Sequence, residues 1–169
     1  MWPDRPPRIS AFSYRGLHRY FITINTRHRT ATFANSKSAR EISSQIPPGF
    51  AAHHFEVLAY CVMPDHLHLI LEGTSPAADL REAVRVWKQR TGYAWKRRTG
   101  AALWQSGFHD RVLREGDETH LVVRYVLQNP VRAGLVRTAR EYPWLGSSRY
   151  TIEDLETHAA DWKPTWKRR

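Results

Sequence analysis

The chain has one cysteine, Cys61, so no intramolecular disulfide can form, and the sequence suits a reducing compartment. It has no apolar run of about 18 residues, which argues against a membrane-spanning helix. Residues 1–7 (Met-Trp-Pro-Asp-Arg-Pro-Pro) lack the apolar centre of a secretory leader, so a cytoplasmic, nucleoid-associated location is expected. There is no internal repeat and no low-complexity tract. Acidic residues are scarce: 16 Asp and Glu stand against 26 Lys and Arg, for a formal net charge of +10 over 169 residues. That imbalance suits a polyanionic partner, with nucleic acid ahead of a membrane surface. Apolar residues are plentiful at 41%, with aromatics at 12%, which is enough to build a core and excludes wholesale disorder.

Length fits one domain with extensions. Residues 1–17, rich in Pro and Arg, read as an extended arm, residues 18–150 as the folded domain and residues 151–169 as a mobile basic tail. Residues 18–25 alternate and are rich in β-formers, which predicts a strand. Residues 35–46 predict a short helix stopped by Pro47-Pro48-Gly49. Residues 54–63, apolar on both faces, predict a covered central strand, and residues 66–72 the next one after a Met63-Pro64-Asp65 turn. Ser75-Pro76 reads as the start of a helix along which Leu80, Val84, Trp87, Thr91 and Trp95 recur at helical spacing. Residues 104–114 predict a strand, and a helix is expected from Asp117 to Asn129, ended or kinked by Pro130. Tightly joined strands imply antiparallel pairing, and the helices are long enough to cover one face. The expected class is an α+β sandwich with a ferredoxin-like antiparallel sheet.

His66-Leu67-His68 is the sharpest local signal. Residues i and i+2 of a strand share a face, so both imidazoles project together while Leu67, Leu69 and Leu71 point to the core. Two imidazoles on an open face can hold a divalent ion and leave positions for substrate oxygens. A bare His-x-His is more often a pair of ordinary strand histidines, so a second feature has to support it. A histidine-triad hydrolase would need His at position 70, which is Ile70, and a two-histidine phosphoesterase would need two separated His-x-Ser/Thr pairs. Zinc fits less well than a harder ion, because no cysteine or third histidine stands close in sequence to close a tetrahedral site.

The second feature is the segment Leu121 to Pro130. Tyr125 and Asn129 are four apart and share a helix face. An amide oxygen from Asn129 is a reasonable third ligand beside two imidazoles. Tyr125 above such an ion is a candidate nucleophile, since a polarised phosphodiester offsets the weakness of a phenol whose ordinary pKa is about 10. The competing reading makes Tyr125 a core tyrosine and Asn129 a helix cap.

Taken in order, Met63-Pro-Asp-His66-Leu-His68, Trp104-Gln105, Phe108-His109-Asp110-Arg111, Tyr125-Val-Leu-Gln-Asn129-Pro130-Val-Arg-Ala-Gly134-Leu135 and Tyr142-Pro143-Trp144 through Ser147-Ser148 resemble the single-tyrosine HUH transposases. The closest subgroup is that associated with repetitive extragenic palindromes, and the likeness spans roughly residues 12–150. The resemblance implies Mg²⁺ or Mn²⁺ held by His66, His68 and Asn129. It implies Tyr125 as the nucleophile that forms a 5′-phosphotyrosine link to single-stranded DNA. The implied partner is an imperfect DNA hairpin with a short guide sequence at its foot, and Tyr14, Arg15 and Gly16 of the arm are candidate readers of that guide.

Phosphate contacts are expected from the basic cluster Arg81, Arg85, Lys88, Lys96, Arg97 and Arg98, with Tyr93 and Trp95 available to stack on bases and Trp87 in the core. Arg111, Arg114 and Arg124 are candidates for holding the scissile phosphate, and His109 and Asp110 for moving protons. Arg168 and Arg169 are candidate tethers. A metal-dependent nuclease that uses water and a catalytically silent hairpin binder are the alternatives. Monomer and homodimer both remain open.

Overall fold

A computed structural model describes residues 12–113 and 117–161. In chain order the elements are β1 (Arg19–Asn25), α1 (Ser36–Ala51), β2 (Phe55–Met63), β3 (His66–Gly73), α2 (Leu80–Thr99), β4 (His109–Leu113), α3 (Asp117–Arg132), β5 (Leu145–Gly146) and α4 (Ile152–Asp161). The sheet order is β4-β1-β3-β2-β5 with every pair antiparallel. The first four strands with α1 and α2 make the expected ferredoxin-like arrangement, and β5 extends one edge. Among the described residues no helix is long and apolar enough to cross a membrane.

Helices cover both faces of the sheet rather than the one expected. On one face Tyr20, Ile22 and Ile24 of β1 and Leu67, Leu69 and Leu71 of β3 pack with Ile42, Ile46 and Phe50 of α1 and Leu80, Val84 and Trp87 of α2. On the other, Ala59, Cys61, Met63 and Ile70 pack with Val122, Val126 and Leu127 of α3 and Leu155 and Ala159 of α4. A bulge between Val57 and Ala59 shifts the alternation of β2. It sends Leu58 and Ala59 to the same side and so aims Cys61 and Met63 at α3.

Five further sequence expectations are corrected. Helix α1 runs through Pro47 and Pro48 to Ala51. Its apolar face carries it past the breakers: Phe50 stacks on Trp87 at 5.6 Å, and Trp87 Nε1 donates to the Gln45 carbonyl at 3.0 Å. Helix α2 starts not at Ser75 but after Asp79, whose side chain accepts from the Glu82 amide. The preceding backbone is committed elsewhere, since Ala78 accepts from the Gly16 amide and Leu80 donates to the Tyr14 carbonyl. Helix α3 contains Pro130 and closes only at Gly134, where the Gly134 and Leu135 amides donate back to Val131 and Pro130 in a Schellman pair. Part of the segment read as a mobile tail forms α4, because Leu155 and Ala159 bury against α3. The polar stretch from Gln105 to Phe108 is not strand; only His109–Leu113 joins the ladder.

Gly73 ends β3 where the arm crosses it, and a Cβ there would meet the Gly16 carbonyl oxygen at 2.1 Å. The Cβ position is set by the backbone and the carbonyl is main chain, so neither can rotate away. Gly73→Ala is expected to cost about 2 kcal/mol or more of stability and to lower the melting temperature by roughly 4–8 °C. A thermal melt matching the parent protein would show that the arm does not pack there.

Candidate metal and nucleophile site

Register builds the site. On the α3 face of the sheet, His68 of β3 lies between Cys61 of β2 and Thr23 of β1, with His109 of β4 beyond Thr23. The next row holds Met63, His66 and Asn25. The two histidines share a face, as a strand period of two requires, and their Nε2 atoms are 3.0 Å apart. Each Nδ1 is engaged from behind: Asp65 Oδ1 accepts from His66 Nδ1 at 2.6 Å, and Thr23 Oγ1 lies 3.0 Å from His68 Nδ1. Carboxylate and hydroxyl partners of this kind fix the orientation of ligating imidazoles.

Burial lowers the pKa of His66, against the opposing pull of Asp65, and lowers that of the more deeply buried His68 well below the ordinary value, helped by His66, Arg29 and Arg132. Both rings are therefore neutral at neutral pH, which is the form that binds metal. At 3.0 Å the two Nε2 atoms are within hydrogen-bond distance of each other, one ring donating and the other accepting. Cys61 is wholly buried and its thiol pKa is raised by that burial, so it stays protonated rather than offering a thiolate beside His68. Among the described residues no group of three or more His, Cys, Asp or Glu side chains is arranged to hold a metal. The pair itself offers two imidazole nitrogens.

Helix α3 lies across this face and sets Tyr125 against His68, ring centroids 5.5 Å apart and edge to face. Phe21 completes the cluster, stacked on His68 at 5.3 Å and edge-on to Tyr125 at 5.9 Å. Asn129, one turn on, is buried and donates its amide nitrogen to the Tyr125 carbonyl at 2.9 Å. That bond leaves the amide oxygen as the end of Asn129 suited to a cation. The guanidinium of Arg132 lies 4.7 Å from the centre of the Tyr125 ring.

The structure distributes the other candidates unevenly. Arg111 is opposite Phe21 and so on the site face, and Arg124 is exposed on α3. Arg114, Arg168 and Arg169 lie outside the described residues. His109 shares the site face, but Asp110 pairs with Ile22 on the opposite face and hydrogen-bonds Tyr14. Tyr14 is itself buried, with the Arg81 guanidinium 4.4 Å from its ring centre, while Arg15 pairs with Asp79 at 3.0 Å and the Gly16 amide donates to Ala78. Arg85, Lys88, Lys96, Arg97 and Arg98 belong to α2, across the sheet from the histidines. Arg85 pairs with Glu82 and Arg98 with Glu41, both at 2.6 Å. The Lys88 ammonium caps the carbonyls of Gln105 and Gly107. Lys96 and Arg97 are exposed, as is Tyr93, and Trp87 is core as expected. Thr23, Asp65 and Arg132 touch the histidines or Tyr125, and Arg29 pairs with Asp65, contacts that no local sequence pattern encodes. Turn chemistry was the one available signal, for Asp65.

Residues 15–129 match the family described as IS200-like transposases. A Haemophilus influenzae protein provisionally named a REP-associated tyrosine transposase is 24% identical over 156 residues, covering 85% of this chain and 86% of that one. The Escherichia coli REP-associated tyrosine transposase is 24% identical over 143 residues, covering 85% and 83%. The solved structure of a REP-associated tyrosine transposase bound to a REP hairpin superposes with a TM-score of 0.66 at 23% identity, covering 86% of this chain and 82% of that one.

Proposed function

This chain belongs to the IS200-like transposase family, and from that premise we propose that it cuts and rejoins single-stranded DNA beside a hairpin through a covalent bond to Tyr125. The observation that carries the reading is the convergence of both Nε2 atoms, 3.0 Å apart, under a helix that packs the Tyr125 ring on His68. His66, His68 and the Asn129 amide oxygen would hold a Mg²⁺ or Mn²⁺ ion. Bound there, the ion would polarise the non-bridging oxygens of a phosphodiester and stabilise the charge that builds on them.

Tyr125 Oη gives up its proton and bonds to phosphorus, the bond from phosphorus to the 3′ oxygen breaks, and that oxygen leaves as a hydroxyl. The strand 3′ of the cut stays on the protein, its 5′ phosphate joined to Tyr125 as a phosphotyrosine ester. Attack by a 3′ hydroxyl reverses the step and rejoins DNA without an external energy source. Arg111, Arg124 and Arg132 are the cations proposed to receive the phosphates. A hairpin partner is supported by the ligand of the superposed transposase and by the basic charge of this chain. The guide beside the hairpin and its contacts belong to the same proposal.

The test mixes protein, Mn²⁺ or Mg²⁺ and hairpin DNA with single-stranded flanks, labelled at one end or the other. A protein-linked band on a denaturing gel is expected with the 3′ label only, a shortened free strand with the 5′ label, and neither after chelation. Cleavage without the linked band would favour water as nucleophile. Hairpin binding without metal-dependent cleavage would favour a silent binder. Binding itself is expected to weaken as a power of salt concentration, since phosphate contacts release counterions.

A further inference from the structure

On the reading of His66 and His68 as ligands, we infer that Arg29 is a positioning residue: it fixes Asp65 so that His66 keeps its proton on Nδ1 and turns an unprotonated Nε2 toward the cation. Arg29 Nε lies 2.9 Å from Asp65 Oδ2, and the other oxygen of that carboxylate accepts from His66 Nδ1 at 2.6 Å. Arg29 Nη1 donates to Asn25 Oδ1 at 2.6 Å, and Asn25 is the cross-strand partner of His66. One guanidinium therefore grips both the carboxylate behind His66 and the residue beside it. A planar fork of donors can do this, whereas a single ammonium cannot hold the same geometry.

The backbone is bent to make the grip. His28 and Arg29 have φ of 56° and 55°, successive non-glycine residues in the left-handed region. That conformation is unfavourable for L-residues and easy for glycine, yet no glycine stands here. The surrounding bonds hold it. The Arg29 amide donates to the Thr26 carbonyl at 3.1 Å, while the Thr26 amide and hydroxyl both donate to the Asp65 carbonyl, at 3.0 and 2.9 Å. The turn after β1 is thus tied to the turn before β3, and the left-handed pair swings the Arg29 side chain over Asp65. Strain is informative when what it aims is visible, and here it aims a cation at the carboxylate that touches a ligand.

The chemistry supplies the reason. A neutral imidazole in water prefers its proton on Nε2, and in that tautomer the nitrogen facing the site has no lone pair for a metal. A carboxylate at Nδ1 reverses the preference by demanding a donor there. The Asp65 side chain is 26% exposed, so without Arg29 it can turn to water and release the ring.

The experiment uses the whole chain. Mn²⁺ affinity is measured calorimetrically, and the His66 tautomer is read from ¹⁵N spectra of the metal-free protein. Arg29→Ala and Arg29→Gly are each expected to weaken Mn²⁺ binding by about tenfold and to shift His66 toward the Nε2-protonated form. Glycine relaxes the left-handed backbone, so Arg29→Gly should melt no lower than the parent, which separates positioning from folding. Arg29→Ala added to Asp65→Ala should weaken binding no further, because both act through one carboxylate. Arg29→Gly with parental affinity and an unchanged tautomer would overturn the inference, as would additive losses in the double variant. A parent chain that binds no Mn²⁺, with its tautomer still set by Arg29, would instead overturn the ligand reading on which the inference stands.

Discussion

Tyr125→Phe is expected to abolish the protein–DNA adduct and to lower single-stranded cleavage by at least about a thousandfold, the scale of removing a nucleophile rather than a binding contact. The substitution deletes one oxygen and keeps the ring. The packing of that ring on His68 and Phe21, and the Arg132 guanidinium 4.7 Å from its centre, should survive. Hairpin affinity and melting temperature should therefore stay near the parent values. That separation makes the result decisive between readings. If water attacked the phosphorus and Tyr125 only packed, the phenylalanine protein would still cut, and the product would carry a free 5′ phosphate instead of a protein link. Cleavage within about tenfold of the parent would end the case for Tyr125 as nucleophile.

The part of this site visible in the sequence is the part that depends on local periodicity. A period of two puts His66 and His68 on one face, and a period of 3.6 puts Tyr125 and Asn129 on another, so each pair follows from its own segment. The first four strands were legible for the same reason. What escaped depends on separations that no local pattern encodes. Thr23 meets His68 only because β1 and β3 pair in one particular register, and Arg29 meets Asp65 across two turns that lie far apart in sequence. The bulge after Val57 decides which face Cys61 takes. Breakers misled where tertiary burial was strong: Pro47 and Pro48 sit inside α1 because Ile46 and Phe50 are fully buried. Charge misled in another way. The stripe on α2 looked free, yet Arg85 and Arg98 have acidic partners and Lys88 serves as a staple between α2 and the loop before β4.

The second large effect concerns the ion. In the parent chain, Mn²⁺ at a hundred times its dissociation constant should stabilise the fold by about 2.7 kcal/mol, raising the melting temperature by roughly 5–10 °C for a chain of this size. His68→Phe should remove that rise and weaken Mn²⁺ binding by more than about a hundredfold, beyond the loss expected for a supporting residue. Phenylalanine is chosen because it fills the gap between Phe21 and Tyr125, so no cavity confuses the measurement. It leaves Thr23 Oγ1 without its imidazole, but Thr23 is only half-buried and water can replace the bond. With metal absent, the two proteins should melt within a few degrees of each other and bind hairpin DNA alike. The difference then resides in the metal response alone, which a fold defect cannot imitate. A His68→Phe protein whose melting temperature still climbs with Mn²⁺ as the parent's does would locate the ion away from this pair.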